Sequence, residues 1–232
     1  MTSRHTRYRR LGTLSAWVEG MLVGALVLEV LSIVNAGLMA ANARALAGES
    51  GLVPGVLVEL DAVAAVVSVL WLLPTGIIFI VWFHAAYRSL PALEFYGSRH
   101  TSGWAIGGWF VPFLNLVRPY RIADDLWRAG GEYEGGARRR AGRSSSLVSA
   151  WWAFYLLSNI GESALARVPP PVTEDQFLLY AAGRALVSVL AIIGLVCAVA
   201  MVRGITVGLR QRAVGLARAG RVHPELSEPA RT

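Results

Sequence analysis

Four stretches of the chain, residues 14–41, 62–83, 147–165 and 177–202, are apolar along almost their whole length. An α-helix rises about 1.5 Å per residue and the hydrocarbon layer of a bilayer is about 30 Å thick, so roughly 20 apolar residues cross it. Each stretch is close to that length or beyond it. A soluble domain of this pattern would have to bury every face of four long helices, and it would usually carry about 25 % charged residues. Here 55 % of the 232 residues are hydrophobic and 16 % are charged. The expectation is an all-α, polytopic membrane protein with four transmembrane helices.

Between the second and third stretches lies Gly103–Trp127, GWAIGGWFVPFLNLVRPYRIADDLW, which is apolar but broken. As a helix, Trp104–Val117 would be about 21 Å long, short of the hydrocarbon core, and Pro112 to Asn115 mark a turn inside it. Residues 104–117 therefore read as a re-entrant segment that enters from the cytoplasmic side and returns to it. Pro119 suits the first turn of the next helix, where no backbone N–H is needed. Residues 119–129 are expected as an amphipathic interfacial helix, with Ile122, Leu126 and Trp127 towards one face. Arg121 with Asp125, and Asp124 with Arg128, are opposite charges at i, i+4 along it. Residues 130–146, rich in glycine, arginine and serine, read as a flexible linker.

All 22 basic residues are arginine. Four lie in the basic N-terminus, residues 1–13, one in the first loop, nine between the second and third stretches, one in the next loop and six in the tail, residues 203–232. Arg184 lies within the fourth stretch. Arginine gathers on the cytoplasmic side of short loops, so this alternation places both termini and the middle region in the cytoplasm of a multi-pass cell-membrane protein. A full crossing by 104–117 would put Arg118 to Arg143 outside, against the same rule. Ala41-Asn42-Ala43 resembles a signal cleavage site, but the run before it is about twice a signal core in length and holds Glu19 and Glu29. An uncleaved first helix is expected, and the tail from Arg203 reads as a frayed helix. The net charge of +7 sits beside the apolar runs, where arginines set topology and touch headgroups. The expected partners are the bilayer, with anionic headgroups on its cytoplasmic side, and other membrane proteins; nucleic acid is not among them.

Trp82, Arg88-Ser89-Leu90-Pro91, Trp104-Ala105-Ile106-Gly107-Gly108, the run WFVPFLNLVRPY at 109–120 and Leu126-Trp127 resemble an uncharacterised bacterial membrane-protein family, the domain of unknown function 4328. The resemblance extends over roughly Trp71 to Val202, with its specific part in Trp82–Trp127. It departs from the family pattern at Ser89, where asparagine is expected. The resemblance implies a small protein with several transmembrane helices and implies no activity.

Polar residues inside apolar stretches are the remaining candidates. Glu29 falls near the middle of the first stretch, where a lone charge is expensive and marks either an inter-helix hydrogen bond or a path for ions or protons. Its neighbours by depth include Ser68, Thr75, Ser158, Asn159 and Ser188. Glu162 and Arg184 fall at similar depth on helices joined by a short loop and are expected to pair. Tyr155, Asn159 and Glu162 share one helix face, and Arg184 and Ser188 another. Glu29, Asn159, Glu162 and Arg184 thus form a candidate intramembrane polar site. In the re-entrant motif, Trp109, Pro112, Asn115, Arg118 and Pro119 are singled out: Asn115 to satisfy backbone freed around Pro112, and Trp109, with Trp104 and Trp127, as an interfacial anchor.

His84 and His100 are expected at the cytoplasmic boundary without a matched partner for metal or haem. Cys197 stands alone in an apolar run. No HExxH, GxSxG or P-loop pattern occurs, so no catalytic residues, metal or cofactor are assigned. The functional expectation is a non-enzymatic scaffold or partner subunit; the alternative is a small transporter or channel whose path passes Glu29 and the re-entrant segment.

Overall fold

The computed structural model describes residues 5–43, 52–131 and 146–219. Among these there is no strand. Helix α1 spans His5–Ala41 and α2 Leu52–Ser89, followed by a 3-10 turn at Leu90–Leu93. A single helical turn, α3, covers Trp104–Gly107, and a second 3-10 turn covers Leu114–Leu116. Helix α4 spans Arg118–Gly131, α5 Ser146–Leu165 and α6 Glu174–Arg218. The linker expected at 130–146 lies almost wholly outside the described residues.

Among the described residues, three segments are long and apolar enough to cross a membrane: Leu11–Ala41, Glu59–Leu93 and Glu174–Arg218. Helix α5 has 20 residues, a length of about 30 Å, but its Trp, Ser, Asn and Glu residues dilute its apolar character. The outward face of α2 exposes Val63, Val66, Leu70 and Leu73, spaced at close to a helical turn. Such a continuous greasy stripe is foreign to the surface of a soluble monomer.

Helices α2 and α6 overrun their apolar stretches at both ends, and α1 at its start. The tail expected to fray from Arg203 instead continues α6 to Arg218. The reason is a buried stripe, Met201, Ile205, Leu209, Ala213 and Leu216, which recurs every three or four residues and gives the last turns a packing face. At its start, α6 carries the reciprocal cap that Thr173 and Gln176 imply. The Gln176 side-chain oxygen accepts from the Val172 and Thr173 N–H groups at 2.8 and 3.3 Å, and Thr173 Oγ1 accepts from Gln176 N–H at 3.4 Å.

The chain forms two compact units. The first comprises Met1–Gly20, Thr75–Ser149 and Cys197–Thr232; the second comprises Met21–Pro74 and Ala150–Val196. In the second unit, Ala36, Met39, Ala43, Leu57, Phe177 and Ala181 make an apolar cluster. Gly24 lets the Trp71 ring lie against α1, where a Cβ would stand 2.3 Å from it, and Trp71 Nε1 donates to the Met21 carbonyl at 2.9 Å.

In the first unit, Trp82, Phe83, Leu90, Leu93, Ile122, Leu126, Met201 and Ile205 are fully buried. Helix α4 was expected as an amphipathic helix, with Ile122, Leu126 and Trp127 towards one face; Ile122 and Leu126 are fully buried. The burial extends along most of the helix to Ala123, Asp124, Asp125, Ala129 and Gly130. Glycine explains the depth of packing against α6: a Cβ on Gly208 would come within 2.8 Å of Gly130 Cα, and Gly204 makes room for the Trp127 ring. Two helices can approach this closely only where both lack side chains.

Candidate functional site

The second unit contains a ladder of polar side chains built from turn-by-turn spacing. Helix α1 supplies Glu29, Ser32 and Asn35, three residues apart; α6 supplies Tyr180, Arg184 and Ser188, four apart. Both spacings keep the side chains on one helix face. Arg184 Nη1 donates to both oxygens of Glu162 on α5, at 3.0 and 2.8 Å, and its Nε donates to Ser32 Oγ at 2.9 Å. One turn along, Asp61 of α2 accepts from Asn35 Nδ2 at 3.4 Å and from the Tyr180 hydroxyl at 3.0 Å. Arg184 thus joins three helices, and Asp61 joins α2 to two of them.

Glu29 stands at the other end of the ladder, with Ser188, Glu162 and Arg184 as its polar neighbours. Ser188 is fully buried. Its hydroxyl faces the Glu29 carboxyl; both it and Glu29 Oε2 are shielded from solvent, and beyond each other neither has a hydrogen-bond partner among the described residues. Two carboxyls therefore face one guanidinium, and Glu162 holds it.

Of the four candidates for this site, Glu29, Glu162 and Arg184 come together and Asn159 does not. The Asn159 carboxamide is exposed and donates back to the Tyr155 carbonyl at 2.7 Å. A carboxamide has a carbonyl of the preceding turn always within reach, and the backbone won. Ser32, Asn35, Asp61 and Tyr180 were not singled out from the sequence, although the i, i+3, i+6 relation to Glu29 marks the first two.

In the first unit the acidic pair of α4 organises a second network. Asp125 accepts from Arg99 Nε at 2.8 Å, from the Arg99 backbone N–H at 3.1 Å and from the Tyr87 hydroxyl at 2.9 Å. Asp124 accepts from Arg99 and Arg128, both at 2.8 Å. The expected Asp124–Arg128 pair forms. The expected Arg121–Asp125 pair does not, because Arg99 takes Asp125 with better geometry from outside the helix. Burial works against the Arg99 charge, but the carboxylates of Asp125 and Asp124 outweigh it and hold the guanidinium above its ordinary value.

His100 continues the network. Its backbone N–H donates to the Tyr87 hydroxyl at 3.2 Å, and its ring Nδ1 lies 2.8 Å from Arg118 Nη1. Arginine can only donate, so Nδ1 accepts and the ring proton sits on Nε2. Burial and then Arg118, with Arg121 and Arg99 adding to it against Asp125, hold the imidazole below its ordinary value of 6.5. His84 Nδ1 lies 2.9 Å from the Ser102 carbonyl. Among the described residues no group of three His, Cys, Asp or Glu side chains is gathered as a metal would require.

The segment 104–117 is irregular yet well bonded. The backbone N–H of Asn115 donates to the Val111 carbonyl at 3.0 Å, that of Leu114 to Pro112 at 2.8 Å and that of Val117 to Leu114 at 3.0 Å. The Asn115 side chain, expected to satisfy these groups, is exposed; tight turns leave it little to do. Phe113 adopts a left-handed φ of 63°, unusual for a bulky residue. The Trp109 ring packs edge-on against Phe79 and Phe83, at 5.8 and 6.2 Å between centroids. Trp104 lies under the Arg118 guanidinium at 4.3 Å. Pro119 is buried in the first turn of α4. What this footing presents is an apolar crest, with Phe110 72 % and Phe113 84 % exposed and Val111, Leu116 and Val117 beside them.

Arg212, never singled out from the sequence, is buried at the end of α6. It donates to the carbonyls of Leu93, Ala129 and Glu94 at 2.7, 3.0 and 3.1 Å and lies over the Phe95 ring. Glu94 itself has a left-handed φ of 52°, which turns that carbonyl towards the guanidinium.

No curated protein and no solved structure matches the chain. A family model, described as Domain of unknown function (DUF4328), matches residues 55–207, which takes in α3, α4, α5, Glu162, Arg184 and the whole segment from Trp82 to Trp127. With about two thirds of its length inside that match, the chain belongs to the DUF4328 family.

Proposed function

We propose that this is a four-span integral membrane protein, with both termini and the region between α2 and α5 on the cytoplasmic side, that acts without catalysis as a scaffold or partner subunit. Residues 104–117 are its re-entrant segment, and their crest is the surface offered to another membrane protein. The observation that carries this reading is the crest itself. Phe110 and Phe113 project outward from a base fixed by Trp109 on Phe79 and Phe83 and by Arg118 on Trp104. A rigid aromatic surface loses little entropy on association, and aromatic residues dominate the centres of protein interfaces. The test is a photoreactive phenylalanine analogue at position 113, irradiated in intact membranes. A discrete protein adduct that Phe110→Ala weakens is the expected outcome; adducts to lipid alone would refute the partner role.

A second reading has one specific support. Glu29 Oε2 and the Ser188 hydroxyl are buried side by side, with no hydrogen-bond partner beyond each other among the described residues, as groups along an ion or proton path are. A small transporter or channel would then show pH-dependent flux in proteoliposomes that Glu29→Gln abolishes. Equal flux in protein-free liposomes would remove this reading.

A further inference from the structure

We infer that Arg118 and Arg121, ordered around His100, form a site for the phosphate of an anionic phospholipid headgroup. Among the described residues, four arginines, 99, 118, 121 and 128, meet two carboxylates, Asp124 and Asp125, in this part of the first unit. Arg99 and Arg128 take both. Arg118 and Arg121 have no carboxylate partner among the described residues. They are one turn apart on α4, so their side chains share a face, and both act on the same imidazole, which their charges help keep neutral.

Arg118 is held for the purpose. The Trp104 ring lies under its guanidinium, His100 Nδ1 accepts from one Nη1, and Gly108 packs against its stem, where a Cβ would stand 2.9 Å from Arg118 Cβ. The remaining N–H groups lie in the plane of a fixed fork, the geometry that suits two phosphate oxygens. Arg121 is exposed and extends the positive face.

The lipid origin of the phosphate follows from what precedes Arg118. Phe113, Leu116 and Val117 are exposed and apolar, and the charge begins at the next residue. A chain that leaves the hydrocarbon at Val117 brings Arg118 to headgroup level, where anionic lipids concentrate. This step rests on the re-entrant reading of residues 104–117.

The experiment is native mass spectrometry of the full chain purified in detergent and titrated with phosphatidylglycerol, phosphatidylcholine or soluble glycerol phosphate. Phosphatidylglycerol is expected to bind in preference to phosphatidylcholine, and Arg118→Gln with Arg121→Gln to weaken it about tenfold or more, the scale of lost charge-assisted hydrogen bonds. Arg121→Gln alone, which disturbs no contact, is expected to weaken it severalfold with an unchanged melting temperature. Arg88→Gln with Arg210→Gln, the same charge loss at two exposed positions, is expected to stay within twofold. Equal loss in that control, or none in the Arg118 and Arg121 variants, would overturn the site. Glycerol phosphate binding as tightly as the lipid, with the same dependence on both arginines, would overturn the lipid as its ligand while leaving the scaffold reading untouched.

Discussion

The single side chain most at odds with its backbone is Phe113. A left-handed φ of 63° on a bulky residue costs on the order of 1 kcal/mol or more, and the side chain recovers nothing by packing, since it is exposed. Phe113→Gly should therefore raise the unfolding temperature in detergent while abolishing adducts formed from a photoreactive group at position 110. A loss of stability in this variant would mean that the ring is held by contacts made inside the protein. The Glu162–Arg184 pair gives the opposite kind of case. Arg184 is the buried partner and Glu162 the more exposed one, so Glu162→Gln, which leaves the guanidinium unpaired, should cost more than removing an exposed ion pair would, and the double change should cost clearly less than the sum of the single ones. His100 supplies a pH dependence. Its folded-state value is below 6.5, so the unfolded chain takes up a proton first as the medium is acidified. Its contribution to stability is complete above pH 6.5 and is lost as pH falls towards the folded value. Melting curves between pH 7.5 and 5 should slope down with acid, and His100→Gln, which keeps an acceptor for Arg118, should flatten that slope.

At the level of elements, the contact between α4 and α6 depends on what Gly130 and Gly208 lack. Gly208→Ala forces the backbones apart and should cost about 1–3 kcal/mol, as overpacking does. It should also release Trp127 from Gly204, visible as a red shift in tryptophan emission. A melting temperature equal to wild type would show that the helices can separate freely. The burial of α4 was not legible in its sequence, and the reason is instructive. Asp124 and Asp125 read as a solvated face because only their own helix was in view, where Arg121 and Arg128 sit at the right spacing. Their main partner is Arg99, 25 and 26 residues earlier, and nothing in local periodicity points to it. Glu162 with Arg184 was legible because a short loop and two helix rises fix the depth of both residues. Asn159 shared that depth and failed, since spacing gives a face and says nothing of a competing carbonyl one turn back.

For the molecule as a whole, the runs of apolar residues announced helices, but the ends of those helices were set by tertiary contacts that hydropathy does not register. The count of arginines gives a topology that labelling can check. With Cys197→Ser as background, a single cysteine between residues 130 and 146 should resist a membrane-impermeant maleimide on intact cells and react after permeabilisation. Reaction before permeabilisation would reverse the proposed orientation. Arg212 has a consequence for how the protein can be divided. The family match ends at residue 207, yet the guanidinium that ties together the carbonyls of Leu93, Glu94 and Ala129 lies five positions further on. A fragment cut at the match boundary would keep those three acceptors and discard their shared donor, so a piece that retains this junction has to run past the matched segment.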